Sequence, residues 1–290
     1  MTRLRLATRS SPQALTQATV VADRLGALGA DVQLVHVDTR GDRTQGEEVP
    51  LHSIGGEGVF VAEVRQAVLR GSADLAVHSA KDLPTAPVAG LTIAALTARR
   101  TASDALIGRS LTELSSGARV ATGSVRRRAQ LARARPDLAF VELRGNIGTR
   151  LDRVPDGGAI VMAVAALEVL DLTDRIAQVL DVAEFVPAVG QGCVAVECRD
   201  DDRRALDALG ALDDPTSRHD VTVERAYLGE LGSGCSLPVG AHVDGDRLYT
   251  FLAGRVVTVS ETIGLAGDTE IDVTRAVTAA RDALEHVGGF

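Results

Sequence analysis

The chain of 290 residues has no tryptophan, five phenylalanines, two tyrosines and a single lysine, Lys81. So few aromatics exclude the stacking platforms that hold single-stranded nucleic acid, and no nucleic-acid partner is expected. The three cysteines, Cys193, Cys198 and Cys235, have no metal-type spacing, and their odd number argues against a disulfide framework. No apolar run reaches the length that spans a bilayer. The opening MTRLRLATRSSP lacks the apolar core of a signal peptide. A cytoplasmic protein with no membrane partner is the expectation.

Net charge is −8, unevenly spread. Residues 121–153 hold eight arginines against Asp137, Glu142 and Asp152, a local +5 that leaves −13 elsewhere. An acidic chain with one arginine-rich segment points to a focused anion site rather than a broad surface for DNA. For any one of these arginines taken alone, a solvated helix face is the simpler explanation.

The length fits two or three domains. RLRLAT (Arg3 to Thr8) reads as a strand, and Ser11-Pro12 as a helix cap with proline at the first helical position. A helix follows to Leu28, then a β-branched strand from Asp31 to Thr39. Arg40 to Glu48 reads as a loop, and the Gly-rich Ile54 to Phe60 feeds a helix ending near Leu69. Strands follow at Asp74 to His78 and Leu91 to Leu96. This alternation argues for a parallel α/β sheet. A second unit of the same kind runs from Arg99 to Leu167. Pro187 to Arg199 returns the chain to the first lobe. Beyond two helices, alternating segments from Ala241 to Ile263 form an antiparallel sheet, closed by a helix from Asp272 to His286.

Chemistry concentrates at the ends of strands, where open parallel sheets bind ligands. Thr8-Arg9-Ser10-Ser11 ends the first strand, and a cap with a surface arginine is an equal account of it. His78-Ser79-Ala80-Lys81-Asp82 ends the third. Asp82 is either a proton-transferring or cation-stabilising carboxylate or a turn cap, and Lys81 either a Schiff-base amine or an anion anchor. In ATGSVRRRAQ, Thr122 and Ser124 flank a helix start, with Arg126 and Arg127 in its first turn. There the helix dipole disfavours cations, so a bound anion would offset the cost. ELRGNIGTRL supplies Arg144, Gly145 and Arg150. Four arginines from adjacent strand ends suit a small polyanion, with carboxylates favoured and phosphates left open by these residues alone. Cys235, between glycines in GSGCSLPVG, is either an accessible nucleophile or attachment point, or an inert buried thiol. On these features alone, an aldolase-like enzyme and a hinged ligand-binding protein both remain open.

Taken together and in order, LRLATRSSP, TRGD, GGEGVF, AVHSAKDLP, GSVRRR, LRGNIGTRL, PAVGQGCVAVECR and ERAYLGELGSGCSLPVG resemble the porphobilinogen deaminase (hydroxymethylbilane synthase) family over about five-sixths of the chain. The resemblance implies an α/β fold of three domains. Two are periplasmic-binding-protein-like lobes with a cleft, 1–97 with 193–213 and 98–192, and the third is a small α+β domain, 214–290. It implies a transferase that joins four porphobilinogen units head to tail, releasing ammonia. It also implies a dipyrromethane cofactor held by a thioether to Cys235, with Asp82 as the catalytic carboxylate. Lys81, Ser79, Thr122, Ser124, Arg126, Arg127, Arg144 and Gly145 would hold the cofactor. Arg9, Ser11, Phe60 and Arg150 would meet the substrate, with Gln191 at the hinge. No metal is expected. A monomer handing its product to uroporphyrinogen-III synthase is.

Three positions depart from the family pattern: Glu57 where lysine is usual, Val169 where an arginine contacts substrate carboxylate, and Gly123 where serine is common. A diverged paralogue with altered activity is the alternative these raise.

Overall fold

The computed structural model describes residues 2–39, 60–232 and 237–288. Glu57 and Cys235 lie outside the described residues. The described chain forms two compact units, residues 2–39, 60–100 and 193–218 in one and 101–192 and 219–288 in the other.

In chain order, β1 (Thr2–Arg9) leads into α1 (Pro12–Ala27), β2 (Ala30–Val37), α2 (Ala62–Leu69) and β3 (Leu75–Ser79). A single 3₁₀ turn (Ala80–Asp82) and β4 (Leu91–Leu96) follow. Ser11 caps α1, its Oγ accepting the Ala14 N–H at 3.4 Å, and Pro12 starts the helix as its fixed φ favours. The second unit opens with β5 (Asp104–Ile107), β6 (Arg119–Ala121), α3 (Val125–Ala134), β7 (Ala139–Val141) and α4 (Ile147–Leu151). It continues with β8 (Ala159–Ala163), α5 (Val164–Val169) and β9 (Ile176–Val179). Then come β10 (Val194–Arg199), α6 (Arg203–Gly210), α7 (Pro215–Glu230), β11 (Val239–Asp244), β12 (Arg247–Ala253), β13 (Thr258–Gly264) and α8 (Thr269–Val287).

The first sheet has the order β2-β1-β3-β10-β4 and the second β7-β6-β8-β5-β9. Neither is wholly parallel, which corrects the expectation from strand–helix alternation. β10 runs antiparallel to both β3 and β4, and β5 antiparallel to both β8 and β9. Each sheet thus keeps four strands in one direction and inserts one reversed strand. The reversal matters for function. A reversed strand begins at the rim where the parallel strands end, so Val194 pairs with Ser79 and Asp104 with Ala163. The edge strand β9 was not anticipated: IAQV follows a short turn and has half-buried and exposed positions only.

Strand alternation divides the first core between two faces. Leu4, Leu6, Leu75, Val77 and Val196 pack against α1 and α6. Ala7 and Ala76 meet Val64 and Val68 of α2 on the other face. Each fully buried leucine contributes roughly 2 kcal/mol relative to exposure. In the β11-β12-β13 sheet, Ala241, Leu248 and Leu252 are covered by Ala276, Ala280, Ala283 and Val287, which lie one helical face apart on α8. Among the described residues no helix is long and apolar enough to cross a membrane.

Candidate functional site

The C-terminal rim of the first sheet carries a small hollow open to solvent. Arg9 and Ser11 reach it from the end of β1, Gln13 and Gln17 from α1, Phe60 and Val61 from the start of α2, and His78, Ser79 and Asp82 from the end of β3. Because β1 and β3 are parallel neighbours, both deliver their last residues to one rim. The Arg9 guanidinium lies over the Phe60 ring, 4.1 Å from its centroid, a cation–π contact that fixes a flexible side chain. Ser79 Oγ donates to Gln17 Oε1 at 3.1 Å. Asp82 is half-buried, and among the described residues no hydrogen bond or ion pair to its carboxylate is seen. Lys81, beside it, is also half-buried.

The second unit presents the arginine-rich rim. Thr122 is buried, and its Oγ1 accepts the Ser124 N–H at 3.2 Å, while Ser124 Oγ caps α3 by accepting the Arg127 N–H at 3.4 Å. Both hydroxyls keep a hydrogen to donate. The anion facing this first turn is the chain's own Asp104. Its Oδ2 lies 2.8 Å from Arg126 Nη2 and its Oδ1 2.7 Å from Arg127 Nη2. Arg126 also donates to Val186 O at 2.6 Å, and Arg127 to Val161 O at 3.1 Å. Burial alone would raise the Asp104 carboxyl, but the two guanidiniums and Gln191 hold it well below the usual range. Two arginines against one carboxylate leave a single net positive charge here.

Gln191 is buried and donates to Ala102 O at 2.6 Å and to Asp104 Oδ1 at 2.8 Å. It therefore ties the chain entering the second sheet to the chain leaving it. Arg144 and Arg150 are half-buried at the ends of β7 and α4. Arg150 Nε donates to Gly145 O at 2.8 Å, and Arg153 Nη1 to Arg144 O at 3.4 Å. Gly145 has φ +113°, and a Cβ there would meet Thr149 at 2.8 Å, so only glycine fits. At Gly123 a Cβ would fall 2.8 Å from Leu143 O. The serine common at that position would require the β7 end to shift.

The structure thus gathers Arg9, Ser11, Phe60, Ser79 and Asp82 around one hollow, and Arg126, Arg127 and Gln191 around Asp104, with Thr122 and Ser124 at the start of the helix that carries the two arginines. Cys193 and Cys198 are both buried, and burial pushes the Cys198 thiol up to about 11, so neither is a ready nucleophile. Sequence reasoning passed over Gln13, Gln17, Asp104 and Glu197. The two glutamines stand one turn apart on α1, a visible signal. Asp104 and Glu197 gave none, because both sit on the reversed strands. Among the described residues no group of His, Cys, Asp or Glu is arranged to hold a metal ion.

Residues 4–207 match the family described as porphobilinogen deaminase, dipyromethane cofactor binding domain. The chain is 47% identical over 247 residues to a porphobilinogen deaminase of Acidothermus cellulolyticus, an alignment covering 82% of this chain and 74% of that protein. It is 40% identical over 299 residues to the porphobilinogen deaminase of Trichlorobacter lovleyi, covering 99% and 94%. Among solved structures it is similar to a periplasmic substrate-binding protein of an ABC transporter from Coxiella burnetii. That alignment has 15% identity and a TM-score of 0.44, and covers 74% of this chain and 94% of the other.

Proposed function

This chain belongs to the porphobilinogen deaminase family, and we propose that Asp82 is the carboxylate through which it works. The enzyme is a transferase that joins four porphobilinogen units head to tail with release of ammonia, giving hydroxymethylbilane. The observation that carries the assignment is the Asp82 carboxylate on the hollow, with Arg9 against Phe60 on the facing wall and Ser11, Ser79 and Gln17 between them.

The family's cofactor is a dipyrromethane, and the donor set fits a carboxylated pyrrole. Arg144 and Arg150 stand half-buried beside Gly145, whose left-handed turn, packed against Thr149, holds the two arginines on one segment. Thr122 and Ser124 add hydroxyl donors at a helix start. Arg127 lies at the same helix start with Asp104 fixing its direction, while Arg126 is buried against Asp104 and Val186 O and acts from behind, not as a direct donor as the sequence suggested. We assign the thioether attachment to Cys235, which lies outside the described residues. When bound, the dipyrromethane supplies the free pyrrole carbon to which the first substrate unit is joined.

Each coupling breaks the C–N bond of the porphobilinogen aminomethyl group. Ammonia leaves with the bonding pair, and positive charge remains on the substrate pyrrole. A carboxylate about 4 Å away stabilises that charge by about 4 kcal/mol at an effective dielectric near 20, worth about three orders of magnitude in rate. The new C–C bond leaves one proton to be lost from the accepting carbon, and Asp82 is the base positioned to take it. Arg9, stacked on Phe60, orients a carboxylate side arm, as does Lys81 beside Asp82. Gln191 holds the hinge segment. A monomer in the cytoplasm, handing its product to uroporphyrinogen-III synthase, completes the proposal.

Intact-protein mass spectrometry with an ammonia assay tests this. The expected mass is the bare chain plus two pyrrole units, with ammonia released from porphobilinogen. A bare-chain mass in protein that still binds porphobilinogen without releasing ammonia would overturn it and leave a polyanion-binding protein.

A further inference from the structure

A second carboxylate of the first unit lies beneath the hollow without reaching it. Glu197, in β10, stands opposite Ala76 of β3 and is 2% exposed. It takes Arg65 of α2 as a bidentate fork, Nε and Nη2 each at 2.8 Å. His78 Nε2 lies 3.2 Å from its Oε2, off the line of an aligned hydrogen bond. All three side chains are buried. Residues 76 and 78 share the strand face that α2 covers, which is why helix and strand meet at this carboxylate.

The two arms lead to opposite walls of the hollow. Arg65 is one turn into α2, its N–H bonded to Val61 O at 3.0 Å, and Val61 follows Phe60. His78 is the penultimate residue of β3, directly before Ser79 and the turn that carries Asp82. Glu197 therefore links the wall bearing Phe60, and Arg9 stacked on it, to the wall bearing Asp82. Stability alone does not account for the arrangement. A buried ion pair costs desolvation that its attraction only roughly offsets, and apolar residues of similar volume usually serve as well.

We propose that Glu197 is a positioning residue for the coupling reaction, setting the separation between Phe60 and Asp82 through Arg65 and His78. The proposal rests on Asp82 as the reacting carboxylate. Misplacing a reacting group by about 1 Å can cost on the order of a hundredfold in rate.

The test uses holoenzyme carrying Glu197→Gln, Arg65→Met, the apolar pair Arg65→Met with Glu197→Met, and Asp82→Asn. Cofactor mass, melting temperature, kcat and KM for porphobilinogen are measured. Glu197→Gln is expected to load cofactor fully, keep KM within about twofold and lose about 10- to 100-fold in kcat. The Met/Met variant should recover most of the melting temperature that Arg65→Met alone loses, while kcat stays low. Wild-type kcat in Glu197→Gln, or recovery of kcat together with melting temperature in the Met/Met variant, overturns the proposal. If Glu197→Gln fails to fold, the Met/Met variant decides alone. Normal turnover in Asp82→Asn would instead remove the reading of Asp82, and this inference with it. An inactive Asp82→Asn beside a fully active Met/Met variant would remove only the inference.

Discussion

The Asp104 carboxylate lies 2.8 Å from the Arg126 guanidinium, and both side chains are sealed from water. Their partners are complete: Arg126 reaches Val186 O, and the second Asp104 oxygen takes Arg127 and Gln191. Removing one member of such a pair leaves an uncompensated buried charge. Asp104→Ala should cost about 3–5 kcal/mol, read as a lowered midpoint in denaturant unfolding, and should reduce cofactor loading as the Arg126–Arg127 pair loses its anchor. An unchanged midpoint would show that the pair is not sealed.

Asp82→Asn keeps the shape of the turn and removes the charge. Intact mass should still show the cofactor, while steady-state turnover falls by about three orders of magnitude, the rate equivalent of about 4 kcal/mol. Near-normal ammonia release would take Asp82 out of the mechanism.

Cys235→Ser should give protein of bare-chain mass after expression with substrate available. Cys193 and Cys198 are buried, so neither can take over. Retained dipyrromethane in that variant would assign the attachment elsewhere.

Acid stability follows from Glu197. Burial would raise its carboxyl, but His78 and Arg65 more than offset this and hold it at about 2, against an ordinary value of 4.5. A depressed carboxyl contributes stability that is present above the unfolded value and is lost as pH falls from about 4.5 toward 2. The difference is on the order of 3 kcal/mol. Asp104 acts in the same direction. Unfolding free energy measured between pH 5 and pH 2.5 should fall steeply, and less steeply in Glu197→Gln.

Val169 ends α5 half-buried, next to Glu168, which accepts from Thr101 Oγ1 at 2.5 Å. Val169→Arg supplies the guanidinium that other members of the family present here. A charge-assisted contact is worth about 1.5–3 kcal/mol, so KM for porphobilinogen should fall about tenfold. An unchanged KM would mean that this enzyme binds the substrate carboxylate by other means.

Much of this was legible from local pattern. Ser11 and Pro12 start α1, Leu91–Leu96 and Asp104–Ile107 are strands, and AIVMA runs from strand to helix at Val164. Caps, prolines and hydrophobic periods act over a few residues, so a linear reading captures them. The arginines of 121–153 and the Ser79–Asp82 turn were found for the same reason: a strand's end is a local event, and the rim follows from it.

The sequence by itself determined the family, the strand ends that bear the chemistry and the residues Asp82 and Cys235 as candidates. Only the tertiary structure decided which charges are spent. Asp104 and Glu197 lie in β-branched or apolar runs that look like plain core, and each becomes a hub because its strand is inserted backwards into a parallel sheet. Strand direction is set by pairing between segments about 60 to 120 residues apart. Desolvation of a carboxylate depends on what those distant segments bring with them, and neither quantity is written in any local stretch of the chain.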